Sequence, residues 1–183
     1  SFFFLGCVLF LLGLKKEKIL LTCSGLFICG CSRPVFGVIL PSIIIMQGIY
    51  FFLDSSGKIK HLYNLIIYLI VLTLSSLLAF FTHYIYTGHW LGFFNTHYFW
   101  DHFFRLPQFP LTSWAQNFVL WLDTLALLTL PISLFLIFKD LLPFCKNKFF
   151  PNSSFEGSLP DKATVFSFIY LIGFSITILF FQG

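Results

Sequence analysis

Polar residues punctuate this chain rather than alternate with apolar ones. Continuous apolar runs occupy residues 2–14, 19–31, 35–53, 62–82, 117–138 and 163–181. A membrane-spanning helix needs about 20 such residues, whereas a spanning strand would show about ten residues alternating in polarity. The pattern therefore predicts an all-α, polytopic membrane helix bundle of about six transmembrane helices in a single domain over residues 1–183. The last four runs are long enough to cross. The first two, at 13 residues each, make helices of about 20 Å against a hydrocarbon core of about 30 Å. They read as a tight hairpin, because Lys15-Lys16-Glu17-Lys18 between them cannot turn at mid-bilayer. Gly6 and Gly13 beside Gly25 and Gly30 would let its two helices approach closely. Snorkelling lysines and local thinning would make up the missing length.

The basic residues orient the spans. With six crossings, nine lysines fall on one face and only Arg33 and Arg105 on the other. The positive-inside rule then puts the lysines inside and both termini opposite. The same topology puts the connections around Glu17, around Lys58 and before Lys162 on one inner face, along with the Asn152-Ser153-Ser154 sequon. Pro34 and Pro41 punctuate the second and third runs. Pro131 lies inside the fifth, where a neighbouring helix should cover the carbonyl that proline leaves unpaired.

Composition agrees with lipid as the solvent: 58% of residues are hydrophobic and 10% charged, with 28 phenylalanines. Mean hydropathy is +0.91. A net charge of +4 spread over short loops makes no basic patch, so nucleic acid is excluded as a partner. Five cysteines, four of them inside apolar runs, imply packing rather than a disulfide framework. The chain starts at Ser1, its one methionine is Met46, and no segment reads as a targeting signal.

Candidate chemistry is sparse. Asp123, in the fifth run, is the one acid within an apolar run, and such residues commonly mark proton or substrate paths. Residues 83–116 hold four of the five histidines among many aromatic rings, the composition of an interfacial amphipathic segment between spans four and five. Within it His97 and Asp101 share a helix face, and His89 or His102 could complete a cluster. No metal or haem signature accompanies them, so no cofactor and no metal is expected. Gln47 and Asn64 read as interhelical hydrogen-bond formers.

These observations favour a non-catalytic multi-pass accessory or structural subunit of a larger membrane complex, with membrane lipids and other membrane subunits as partners. The phenylalanine excess with few Asn and Lys fits a T-rich organellar coding strand. The mitochondrial inner membrane is therefore the first expectation, such as a respiratory or ATP-synthase assembly, ahead of the endoplasmic reticulum or a bacterial inner membrane. One alternative is a small transporter or channel element using Asp123. Another is a membrane enzyme acting on lipid through His89, His97, Asp101 and His102.

Overall fold

A computed structural model describes residues 2–32, 36–54, 57–90, 103–104, 120–149 and 159–182, with the side chains of 124–145 described in the fifth helix. Among these residues the chain is helical but for one two-residue pairing. The helices are α1 (Phe2–Lys15), α2 (Ile19–Ser32), α3 (Phe36–Leu53), α4 (Lys58–Thr87), α5 (Leu120–Phe149) and α6 (Lys162–Phe180). Strands β1 (Phe103–Phe104) and β2 (Phe181–Gln182) pair antiparallel, which brings residues 103–104 beside the end of α6.

Among the described residues, three helices are long and apolar enough to cross a membrane: α4, α5 over Thr124–Cys145, and α6 over Lys162–Leu179. α1 and α2, at 14 residues each, are shorter apolar helices, and α3 is apolar over Gly37–Leu53. For α1 and α2 the deficit is the one expected. α3, at 18 residues, matches the run read at 35–53 to within one residue at its start, and Asp54 just beyond it still returns its N–H to the Tyr50 carbonyl at 2.8 Å. α4 runs five residues past the expected end at Thr82 and stops at Gly88, which takes the left-handed conformation (φ 71°) and returns its N–H to the Tyr84 carbonyl. Trp90 then stacks on Tyr84, with ring centroids 4.6 Å apart.

Lipid tails are as apolar as the helices, so close packing must replace the hydrophobic effect as the force between spans. Glycine supplies it in the α1–α2 hairpin. A Cβ on Gly25 would collide with the Phe10 backbone, one on Gly13 with Thr22, and one on Gly6 would lie 2.8 Å from Cys29 Sγ. Gly30 belongs to a different contact than expected: it faces Ser75 of α4, not α1. The core spans α1–α4 and α6, with Leu26, Ile43, Met46, Leu72 and Val165 almost fully buried and Phe10 edge-on to Phe166 at 4.7 Å.

α5 stands at the margin. It packs Ala126 and Leu130 with Ile178 and Leu179 of α6, pairs the Thr129 and Ser175 hydroxyls at 2.8 Å, and lays Ile137 and Leu141 on the edge of the main core. The covering neighbour expected at Pro131 is not found among the described residues. Helix α5 continues through Pro131 and Pro143, and Pro131 lies on the exposed side, while Ala126 and Ser133 face inward.

Candidate functional site at the connection end

The α1–α2 turn is the first part of the site. Lys18 N–H bonds the Gly13 carbonyl at 3.0 Å and Glu17 N–H bonds the Leu14 carbonyl at 3.3 Å, the two bonds of a Schellman helix end. The residue between them usually is glycine, because it must be left-handed; here it is Glu17, at φ 51°. A left-handed non-glycine residue costs about 1–2 kcal/mol and persists where its surroundings hold it in place.

The Glu17 side chain joins three segments distant in sequence. It accepts a hydrogen bond from Lys162 Nζ at 2.7 Å through Oε1 and from Lys60 Nζ at 3.0 Å through Oε2. Lys162 opens α6 and is only 12% exposed, while Glu17 itself is 54% exposed. The two ammonium groups, Lys162 first, hold the Glu17 carboxyl at about 2, well below the ordinary 4.5. Tyr50 adds a tie by donating its hydroxyl proton to the Pro160 carbonyl, and Lys162 Nζ lies 5.6 Å from the centre of the Tyr50 ring.

Beside this triad the α3–α4 turn holds a polar chain. Asp54 Oδ1 accepts from Gly57 N–H at 3.1 Å, an Asx-type turn that closes the connection. Asp54 Oδ2 lies 3.2 Å from Nε2 of His61, and Nδ1 of His61 lies 3.3 Å from Oε1 of Gln47. His61 is 2% exposed and its ring sits 5.7 Å from that of Tyr50. Gln47 Nε2 is buried with no hydrogen-bond partner among the described residues. The two groups of residues border one cleft of about 300 Å³, lined also by Lys15 and Asp161. Three lysines there face three carboxylates, so the lining is charge-balanced while His61 is neutral.

None of the residues singled out from sequence is among those described at this cleft. His89 is exposed just beyond the end of α4. His97, Asp101 and His102 fall outside the described residues, and so does the side chain of Asp123, whose backbone lies in the first turn of α5. No group of three or more His, Cys, Asp or Glu able to hold a metal occurs among the described residues. Sequence reasoning reached Gln47 as an interhelical hydrogen-bond former, and its bond to His61 shows that role. It missed His61, the fifth histidine, and the bridging Glu17. The signals were present: Asp54-Ser-Ser-Gly57 is a turn sequence, and Glu17 is the one acid in a lysine-rich turn.

No protein-family model matches the chain, no curated protein is detectably similar to it, and no solved structure matches it.

Proposed function

We propose that this protein is a non-catalytic, multi-pass subunit of a larger membrane assembly, with α5 as its face toward partner subunits. The observation that carries the reading is Pro131 on the exposed side of a long apolar helix. Proline offers no N–H to the carbonyl four residues back, that of Leu127, and within a bilayer such a carbonyl is tolerated where a neighbouring helix can approach it. Only 11% of the α5 window is buried, against 33% for α6, and Leu128, Ile132, Phe135 and Phe138 line its outer side. A partner helix laid on this face would cover both the proline and the rings.

The polar groups fit the same reading. Glu17, Lys60, Lys162, Tyr50 and Pro160 tie the α1–α2, α3–α4 and α5–α6 connections together at one end. That is where six crossings would place them, with α1, α2 and α3 crossing a locally thinned bilayer. Composition keeps the mitochondrial inner membrane as the compartment we propose first.

The test is extraction from the native membrane into nanodiscs, followed by native gel electrophoresis and mass spectrometry. Co-migration in a stoichiometric assembly, weakened by Phe135→Ala and Ile132→Ala on α5, is the expected result. A chain that runs alone from its own membrane would sink the proposal.

A further inference from the structure

His61 presents a problem of proton count. Both ring nitrogens face acceptors, Asp54 Oδ2 at 3.2 Å and Gln47 Oε1 at 3.3 Å, and a neutral imidazole carries only one N–H. As imidazolium, the ring donates to both, and the arrangement is satisfied apart from the Gln47 NH2. As neutral imidazole, it must keep its proton on Nε2 for the carboxylate, which leaves a bare Nδ1 against a carbonyl oxygen. Turning the Gln47 carboxamide over removes this conflict. Its orphaned Nε2–H then donates to Nδ1, and the flip needs no extra volume because the two amide ends are nearly the same size.

We propose that His61 is a buried proton-binding site joining α3 to α4, in which gain or loss of the proton is coupled to reorientation of the Gln47 carboxamide and switches the charge of the connection-end cleft. The charged groups around it do not compete for this role. From the α1–α2 turn the cleft receives Lys15 and Glu17, and the latter stays ionised because two lysines hold it. From α4 comes Lys60, from the entry to α6 Asp161 and Lys162, and from α3 and its turn Tyr50 and Asp54. Histidine is the side chain among these whose ordinary titration falls between about pH 5 and 8. Protonation therefore turns a balanced lining cationic. It also strengthens the Asp54 contact, and Asp54 is the residue that closes the α3–α4 turn through Gly57. Acidification should thus tighten this connection.

The test is solid-state NMR of the full chain, with ¹⁵N-labelled histidine and glutamine, in bilayers of phosphatidylcholine at about pH 8 and about pH 5. The His61 signals are assigned by their loss in His61→Gln. At the higher pH one neutral tautomer is expected, protonated on Nε2 with Nδ1 accepting; at the lower pH both nitrogens are protonated and the Gln47 amide signal moves with them. Gln47→Met, which removes the amide but not the bulk, should move the Nδ1 signal of the neutral ring, which loses its donor, while the proton stays on Nε2 beside Asp54. Asp54→Asn, which removes the carboxylate that holds the proton on Nε2, should leave a mixture of neutral tautomers at the higher pH. An unchanged protonation state of His61 at both pH values overturns the proposal, even if neither variant folds. So does a Gln47 signal that ignores the titration.

Discussion

The α1–α2 hairpin and the α5–α6 pair are both antiparallel helix pairs in one apolar chain, yet they are held in opposite ways. In the hairpin, helices of 14 residues touch backbone to backbone at Gly6, Gly13 and Gly25, and Phe10, Leu14, Leu26 and Cys29 are buried. In the second pair, a helix of 30 residues packs Ala126 and Leu130 on Ile178 and Leu179, lays Ile137 and Leu141 on the main core, and among the described residues shares one hydroxyl pair, Thr129 with Ser175. Length would rank α5 as the more committed membrane helix, but length does not measure packing. Where the solvent is itself apolar, small residues and polar ties decide which helices hold one another, and large apolar ones are left for lipid or partners.

The sharpest way to break this contrast is to put bulk on the hairpin's closest point. Gly25→Leu drives a side chain into the Phe10 backbone, which has no flexible end that can yield. A loss of about 3 kcal/mol or more is expected, with failure to accumulate as a folded species on size exclusion. Leu26→Ala, at 0% exposure in the same helix, should cost about 2–5 kcal/mol through the cavity it leaves, measured as a lowered unfolding midpoint in detergent. If either variant were as stable as Phe135→Ala on the outer face of α5, the hairpin would not be the tighter pair.

The hairpin and its glycines are legible in the sequence, because continuous apolar runs and a four-residue charged break leave few alternatives. The long helices at 62–82, 117–138 and 163–181 are legible too, as their cores coincide with α4, α5 and α6. What escapes a reading of the sequence is side-chain partnership across distant connections. His61 has no i+3 or i+4 partner that would announce a site; its acid, Asp54, is seven residues away across a turn, and Gln47 lies on another helix. The histidine-rich segment stands out in the sequence instead, and most of it falls outside the described residues. Yet positive-inside counting already puts Glu17, Lys60 and Lys162 on one face, and Glu17 is the one acid in the lysine-rich turn between the first two runs.

Glu17 sharpens the comparison at the polar end, because its charge ties the hairpin turn both to α4 through Lys60 and to the start of α6 through Lys162. A carboxyl lowered to about 2 contributes stability that is fully present above the ordinary value of 4.5 and is lost as pH falls through about 2. The group is more than half exposed, so solvent screening confines its worth to about 1 kcal/mol or less. Glu17→Gln should therefore flatten the acid limb of the stability profile below about pH 4 and lose most of its effect in high salt. Glu17→Gly separates charge from backbone: it removes the same carboxylate but relieves the left-handed turn, and should be the more stable of the two by about 0.5–1 kcal/mol. Equal stabilities would mean that the φ of 51° carries no strain.

The smallest effects belong to the α5–α6 pair, and their smallness is itself informative. Thr129→Val removes a hydroxyl that bonds Ser175 at 2.8 Å; interhelical bonds of this kind average about 0.6 kcal/mol in membranes, because the separated helices find other partners. Phe135→Ala, two-thirds exposed, should shift the unfolding midpoint of the isolated chain by less than about 0.5 kcal/mol. Within an assembly the order should invert. A phenylalanine seated in a partner's groove is worth several times a single hydroxyl pair, so Phe135→Ala should release the chain from its complex under detergent conditions that Thr129→Val survives. If both variants leave co-migration intact while the monomer is unaffected, the outer side of α5 faces lipid, and its exposed proline must be served by the chain itself.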